Sequence, residues 1–355
     1  MITILVRYNL QSYHHALYPI LTSRYSGLFS LTDSVEHCLR RDANRILVIL
    51  NFFKQRYAQV EANRALLVEL RQRYRKVVLF DDSDGADSLH GELIDLVDLY
   101  YKKQILVDRQ HYLKPAYGRQ RFSDYYHQVA GVTDERPEIR EAIASEAELS
   151  KLRLAWNLGL AAYPFNRLRR HASLWLQRHA GWAVARLAYP RMRPRLHGRI
   201  EKLPVVQARF SHTAYSASIG YQRLLFGRLF AQDGRVKTGR VSKAAYEQEL
   251  QTAAAVVSPF GWGEVCYRDF EAIIYGAALL KPDMGGVDTW PDIYVAGETY
   301  YPLDWQGRDA AEVVNRVISC PREAAAIALN AFDRYRACIS AAADRVDLFV
   351  SEVLA

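Results

Sequence analysis

Two kinds of pattern alternate along the first half of the chain. Short, nearly continuous apolar runs, "ITILVRY" and "RILVILNFF", read as strands covered on both faces. "QVEANRALLVELRQRY" instead spaces its apolar residues by three and four, the period of an amphipathic helix. "KVVLFDDSD" then reads as a strand running into an acidic turn. Strand, helix, strand in that order implies parallel βαβ units. "HGELIDLVDLYYKKQIL" fits either a helix or a strand, and Pro137, Pro164, Pro190 and Pro194 punctuate the middle. After "RIEKLP" the pattern restarts. "VVQARFS" predicts a strand, "GYQRLLFGRLF" a helix, and "YEQELQTA" a second helix leading into the strand "AAVVSP". A helix over about Glu264–Tyr275, the strand "ALLKPD" and a helix from about Arg322 to the end follow.

Two such units in 355 residues suit two domains of ordinary size. The expected architecture is α/β, with two Rossmann-like domains facing across a cleft and a basic helical segment between them. The expected divisions are 1–165, a helical linker over 166–200, and 201–355 with its terminal helix.

Charge changes this picture at one place. The net +8 is concentrated between Asn166 and Arg199, where nine arginines (167, 169, 170, 178, 186, 191, 193, 195 and 199) meet no acid. Without them the rest of the chain stands at about −1, which argues against a nucleic-acid partner. Trp175, Leu176, Trp182 and Leu187 interleave with these cations, so the segment suits either an anionic membrane surface or a hairpin packed between domains. No apolar run reaches the roughly 20 residues that cross a bilayer. The four cysteines form no CxxC pair, so neither a zinc site nor a disulfide framework is indicated. A cytoplasmic protein, peripheral at the inner face of the membrane through 166–199, is the expectation.

The stretch "SPFGWGE" (Ser258–Glu264) lies where a strand hands over to a helix, the place at which open α/β sheets bind ligands. Gly261 and Gly263 flank Trp262 and would let the backbone approach a ligand or take positive φ, and the helix N-terminus beyond favours phosphate. Glu264, Arg268, Glu271 and Tyr275 fall on one helical face, where a carboxylate can accept two ribose hydroxyls and a guanidinium can pair with diphosphate oxygens. The alternative is a set of exposed i,i+3 and i,i+4 pairs, each worth about 0.2–0.5 kcal/mol.

Over Ser258–Met284, continued by "VDTWPDIYVAGETYYPLDW", the sequence resembles the C-terminal domain of GT-B glycosyltransferases, particularly those of bacterial surface-polysaccharide (O-antigen or capsule) biosynthesis. The resemblance implies a nucleotide-sugar donor, with "FEAIIYG" placing Glu271 at the ribose and the Gly261–Glu264 loop near the diphosphate or sugar. It extends to "QARFSHTAYSASIGYQR", where Arg209, Tyr215 and Arg223 fit the first strand, loop and helix of that domain. A glycan or lipid-linked acceptor and the absence of a cofactor or metal go with it. Arg223, Arg268 and Lys281 are the cations expected at the leaving diphosphate.

In the first half, Asp82 and Asp84 end a strand and are candidates for a general base on the acceptor hydroxyl. Asp82-Ser83-Asp84 is also formally the DxD of metal-dependent GT-A transferases, and equally a plain turn. His127, His14 and His15 are further candidates for the base. Six tyrosines between Leu99 and His127 suit either an acceptor glycan or a core. Three functions therefore stand side by side: a metal-independent GT-B transferase, a metal-dependent one using the DxD, and a nucleic-acid binder using the arginines.

Overall fold

The computed structural model describes residues 1–7, 15–53, 59–160, 168, 172, 175–176, 179–180, 194–198 and 201–355. Most of the arginine-rich segment, and His14, lie outside the described residues. Within the segment Leu168 and Trp175 are helical and exposed.

The apolar runs of the first half become a six-stranded sheet. Its members are β1 (Ile2–Val6), β2 (Phe29–Thr32), β3 (Ile46–Leu50), β4 (Lys76–Asp81), β5 (Leu99–Lys102) and β9 (Leu152–Leu154). They lie in the order β2-β1-β3-β4-β5-β9, all parallel, with Ile4 beside Val48 and Val48 beside Val78. Helices α1 (Tyr18–Thr22), α2 (Val35–Arg40) and α3 (Val60–Arg73) follow β1, β2 and β3. The ambiguous stretch at 90–106 resolves into a two-turn 3-10 segment, Gly91–Leu96, followed by β5 and the short β6 (Gln104–Leu106). The hairpin β7 (Ala116–Tyr117) and β8 (Ile139–Arg140), with α4 (Arg121–Ala130) between them and α5 (Glu146–Leu149) after, completes this half.

The second sheet is parallel throughout as well. It comprises β10 (Leu203–Ala208), β11 (Val236–Thr238), β12 (Ala253–Val257), β13 (Ala278–Pro282) and β15 (Tyr301–Leu303), in the order β11-β10-β12-β13-β15. Helices α6 (Ala217–Phe230), α7 (Lys243–Thr252) and α8 (Tyr267–Ile274) connect its strands, and α9 (Ala310–Ser319) follows. Strand β14 (Val287–Thr289) leaves this half to pair antiparallel with β6, Asp288 opposite Ile105. Backbone hydrogen bonds therefore tie the two halves together directly.

The single terminal helix expected from Arg322 is two helices, α10 (Pro321–Ser340) and α11 (Ala342–Leu354), broken at Ala341. The second of them does not stay with the second half. Val346, Phe349, Val350 and Val353 form one stripe at helical spacing, and the open face of the first sheet, with Ile4, Val48 and Phe80, is what buries it. Phe349 meets Tyr101 edge-on at 4.8 Å. No described helix is long and apolar enough to cross a membrane.

Candidate functional site

A parallel sheet covered by helices offers ligands the loops at its carboxyl ends, and here the two sets of loops face each other. Those after β1, β4 and β5 meet those after β10 and β12 around a cleft of about 340 Å³. The second half contributes Tyr215, Arg223, Gly261, Trp262, Gly263, Arg268 and Glu271. The first contributes Asp82, Asp84, His15 and Lys103.

Arg223, on α6, is held tightly. Its Nε donates to the Ser211 carbonyl at 2.6 Å, Nη1 to that of Phe260 at 2.7 Å, and the guanidinium lies 4.8 Å from the Tyr215 ring centre. Burial pulls its pKa down, so an anion arriving beside it relieves a desolvated charge. Arg268, on α8, donates from Nη2 to the Arg209 carbonyl at 3.0 Å. Burial works against its charge as well, but Tyr246, Cys266, Glu271 and Asp269 together outweigh it and hold the pKa above the ordinary value. Glu271, three residues on, accepts from the Tyr246 hydroxyl at 2.5 Å, which fixes the carboxylate beside the guanidinium. Two cations and an oriented carboxylate on one wall can hold a diphosphate and a diol.

The opposite wall is acidic with a built-in counter-ion. Lys103 Nζ stands 2.7 Å from Asp84 Oδ1 and 3.6 Å from Asp82 Oδ1. Burial alone would push this lysine toward neutrality, but the two carboxylates outweigh it and keep it charged above the usual lysine range. Asp81, one residue before, is a structural anchor with Lys102 at 3.7 Å and the Tyr100 hydroxyl at 2.7 Å. His15 reaches across the cleft, its Nε2 2.6 Å from the Tyr267 hydroxyl.

Four of the residues expected here are placed elsewhere. Lys281 is buried in β13 and ion-paired to Asp269 at 2.9 Å, away from the cleft. Arg209 is engaged by both oxygens of Glu249, at 2.6 and 2.9 Å. His127 stacks on Tyr117 at 4.0 Å with Nδ1 2.9 Å from the Val132 carbonyl, outside the cleft. Glu264 leaves the α8 face because that helix starts later than its pattern suggests. Asp269 Oδ2 accepts from the Cys266 N–H at 2.9 Å, fixing the start beyond it. Glu264 then turns into the seam between the halves, 1% exposed. There its Oε2 accepts from the Ala86 N–H at 2.8 Å and from Gln104 Nε2. Burial lifts its pKa to about 7.

Gly263 has a different reason from the one expected. Neither Gly261 nor Gly263 takes positive φ. A Cβ on Gly263 would stand 1.7 Å from the Asp84 carbonyl oxygen, so the close approach is to the backbone of the first half. Of the six tyrosines, Tyr100, Tyr101, Tyr112 and Tyr126 are core residues at 2% exposure or less. Lys103 and Tyr267 were not singled out as site residues. The position of Lys103 directly after a strand neighbouring β4 was a usable signal, whereas Tyr267 depends on how the halves meet.

No family model matches the chain, and no curated protein matches it. Among solved structures it is similar to Anabaena HepE in complex with UDP and glucose, at 11% identity, over 99% of each chain, with a TM-score of 0.47. It is also similar to an α,α-trehalose-phosphate synthase (UDP-forming) from Burkholderia vietnamiensis, at 12% identity, 99% of this chain, 82% of that one and a TM-score of 0.45. A third is the pneumococcal O-GlcNAc transferase GtfA in complex with UDP and GlcNAc, at 8% identity, 88% and 57% coverage and a TM-score of 0.46.

Proposed function

We propose that this chain is a glycosyltransferase of GT-B type that moves a sugar from a nucleotide-activated donor to a glycan or lipid-linked acceptor in surface-polysaccharide synthesis. The observation that carries it is the division of the cleft: Arg223, Arg268 and Glu271 on one wall, and Asp82 and Asp84 on the other. The arginines suit a diphosphate leaving group and Glu271 a ribose diol. In the transfer, the acceptor oxygen bonds to the anomeric carbon. The bond from that carbon to the diphosphate oxygen breaks with its electrons on the nucleotide, and the hydroxyl proton passes to Asp82 or Asp84. The metal-dependent alternative is disfavoured by Lys103, whose ammonium takes the place between these carboxylates that a divalent ion would need. The test is a thermal-shift series with UDP, GDP, CMP, dTDP and ADP. A nucleotide at 100 times its Kd stabilises by about 2.7 kcal/mol. If none of the five raises the melting temperature, the proposal fails.

A further inference from the structure

Beside the cleft lies a second, larger cavity of about 840 Å³ that shares Asp84, Tyr215 and Trp262 with it. Its remaining wall comes from the hairpin region of the first half, including Gln120, Glu135 and Arg136, and from the start of α6. Resting on the transferase reading, we propose that this cavity seats the ring that accepts the transferred sugar, and that it takes an uncharged, hydroxyl-rich ring in preference to a phosphorylated one.

Three observations lead there. Contiguity is the first: a ring in the cavity presents a hydroxyl to Asp84 at the junction with the donor cleft. The second is Trp262, which is 50% exposed and tilted against Tyr215 at 5.2 Å. A large aromatic left half in solvent at the mouth of a polar cavity offers its face to the apolar side of a sugar ring, while surrounding amide, hydroxyl and carboxylate groups meet the ring's hydroxyls.

The third is charge. The wall holds four carboxylates (Asp84, Asp134, Glu135 and Glu138) against two guanidiniums (Arg119 and Arg136). Arg119 is itself held by Glu138 at 2.5 Å. The start of α6 would ordinarily attract an anion, but Asp134 already fills it. Its Oδ1 accepts from the Ser218 N–H at 2.8 Å and its Oδ2 from the Ser218 hydroxyl at 2.6 Å. An incoming phosphate would meet a lining with two more carboxylates than guanidiniums, and a helix start whose anion site is taken from within.

Ligand-observed saturation-transfer NMR tests this with methyl glycosides of glucose, galactose, mannose and N-acetylglucosamine, and with glucose 6-phosphate, on wild type, Trp262→Ala and Glu135→Arg. At least one neutral glycoside should bind wild type, with glucose 6-phosphate roughly tenfold weaker or more. Trp262→Ala should remove the signal, and Glu135→Arg should strengthen glucose 6-phosphate by about threefold or more. Nucleotide calorimetry on Glu135→Arg should stay within about twofold of wild type, because Glu135 does not line the donor cleft. The proposal is overturned if no neutral glycoside binds, if glucose 6-phosphate binds wild type as well as the neutral probes, or if Glu135→Arg changes nothing. Glycoside binding without binding of any nucleotide would support the cavity's specificity while removing the transferase reading, so the two failures are distinct.

Discussion

Replacing Glu264 by Gln should flatten the dependence of stability on pH. Glu264 sits at the seam of the two halves, accepting from the Ala86 N–H at 2.8 Å and from Gln104. Burial dominates over the Ala86 N–H and Lys102, which favour the ionised form, and Asp87 adds to it, so the pKa rises from the ordinary 4.5 to about 7. The sign follows from proton linkage. The folded carboxyl binds its proton more tightly than the unfolded one, so stability is highest below about pH 4.5, falls as pH rises to about 7, and is lower by the full amount above. At about 1.36 kcal/mol per pKa unit, the change from 4.5 to 7 amounts to about 3 kcal/mol. That is a ceiling, since the seam can open without the rest unfolding. Gln keeps an oxygen for the Ala86 N–H and has no proton to lose. Melting temperatures of wild type and Glu264→Gln across pH 5 to 8.5, converted to free energies, should therefore show wild type losing up to about 2.5 kcal/mol relative to the variant toward the alkaline end, whatever the offset at pH 5. Parallel profiles would refute the reasoning, because every other titrating group is common to both proteins.

Gly263→Ala should destabilise by about 3 kcal/mol in chemical unfolding, as its Cβ would meet the Asp84 carbonyl at 1.7 Å; wild-type stability would show that the halves do not meet this way. Lys281→Met leaves the Asp269 carboxylate buried without its ion pair and should cost about 3–5 kcal/mol, with Asp269→Asn in the same chain restoring part of it. A double variant no more stable than the single would count against the pairing. Glu271→Ala should weaken nucleotide binding by about 1.5–3 kcal/mol in calorimetry; unchanged affinity would remove Glu271 from the ribose. Transfer activity should survive EDTA, and complete loss restored by magnesium or manganese would return Asp82 and Asp84 to the role of metal ligands.

What the sequence made legible was whatever depends on one element at a time. The apolar runs at 46–50 and 76–81 could only be strands buried on both faces, and they are. Arg268 and Glu271 share a face of α8 by spacing alone, and both reach the cleft. What stayed hidden depends on pairs of elements. Arg209, Arg223 and Lys281 are all cations in the sequence, but Glu249 engages the first and Asp269 the third, while Arg223 faces the cleft held by backbone carbonyls and the Tyr215 ring. Whether a cation is held in a direct ion pair or turned to the cleft is decided by tertiary packing. Glu264 and Gly263 show the same thing at the seam: they sit in the most ligand-like motif of the chain, yet their immediate partners are Ala86, Gln104 and the Asp84 backbone. The motif therefore serves two ends at once. Its helix presents Arg268 and Glu271 to the cleft, while its loop packs against the backbone of the acidic wall of the first half.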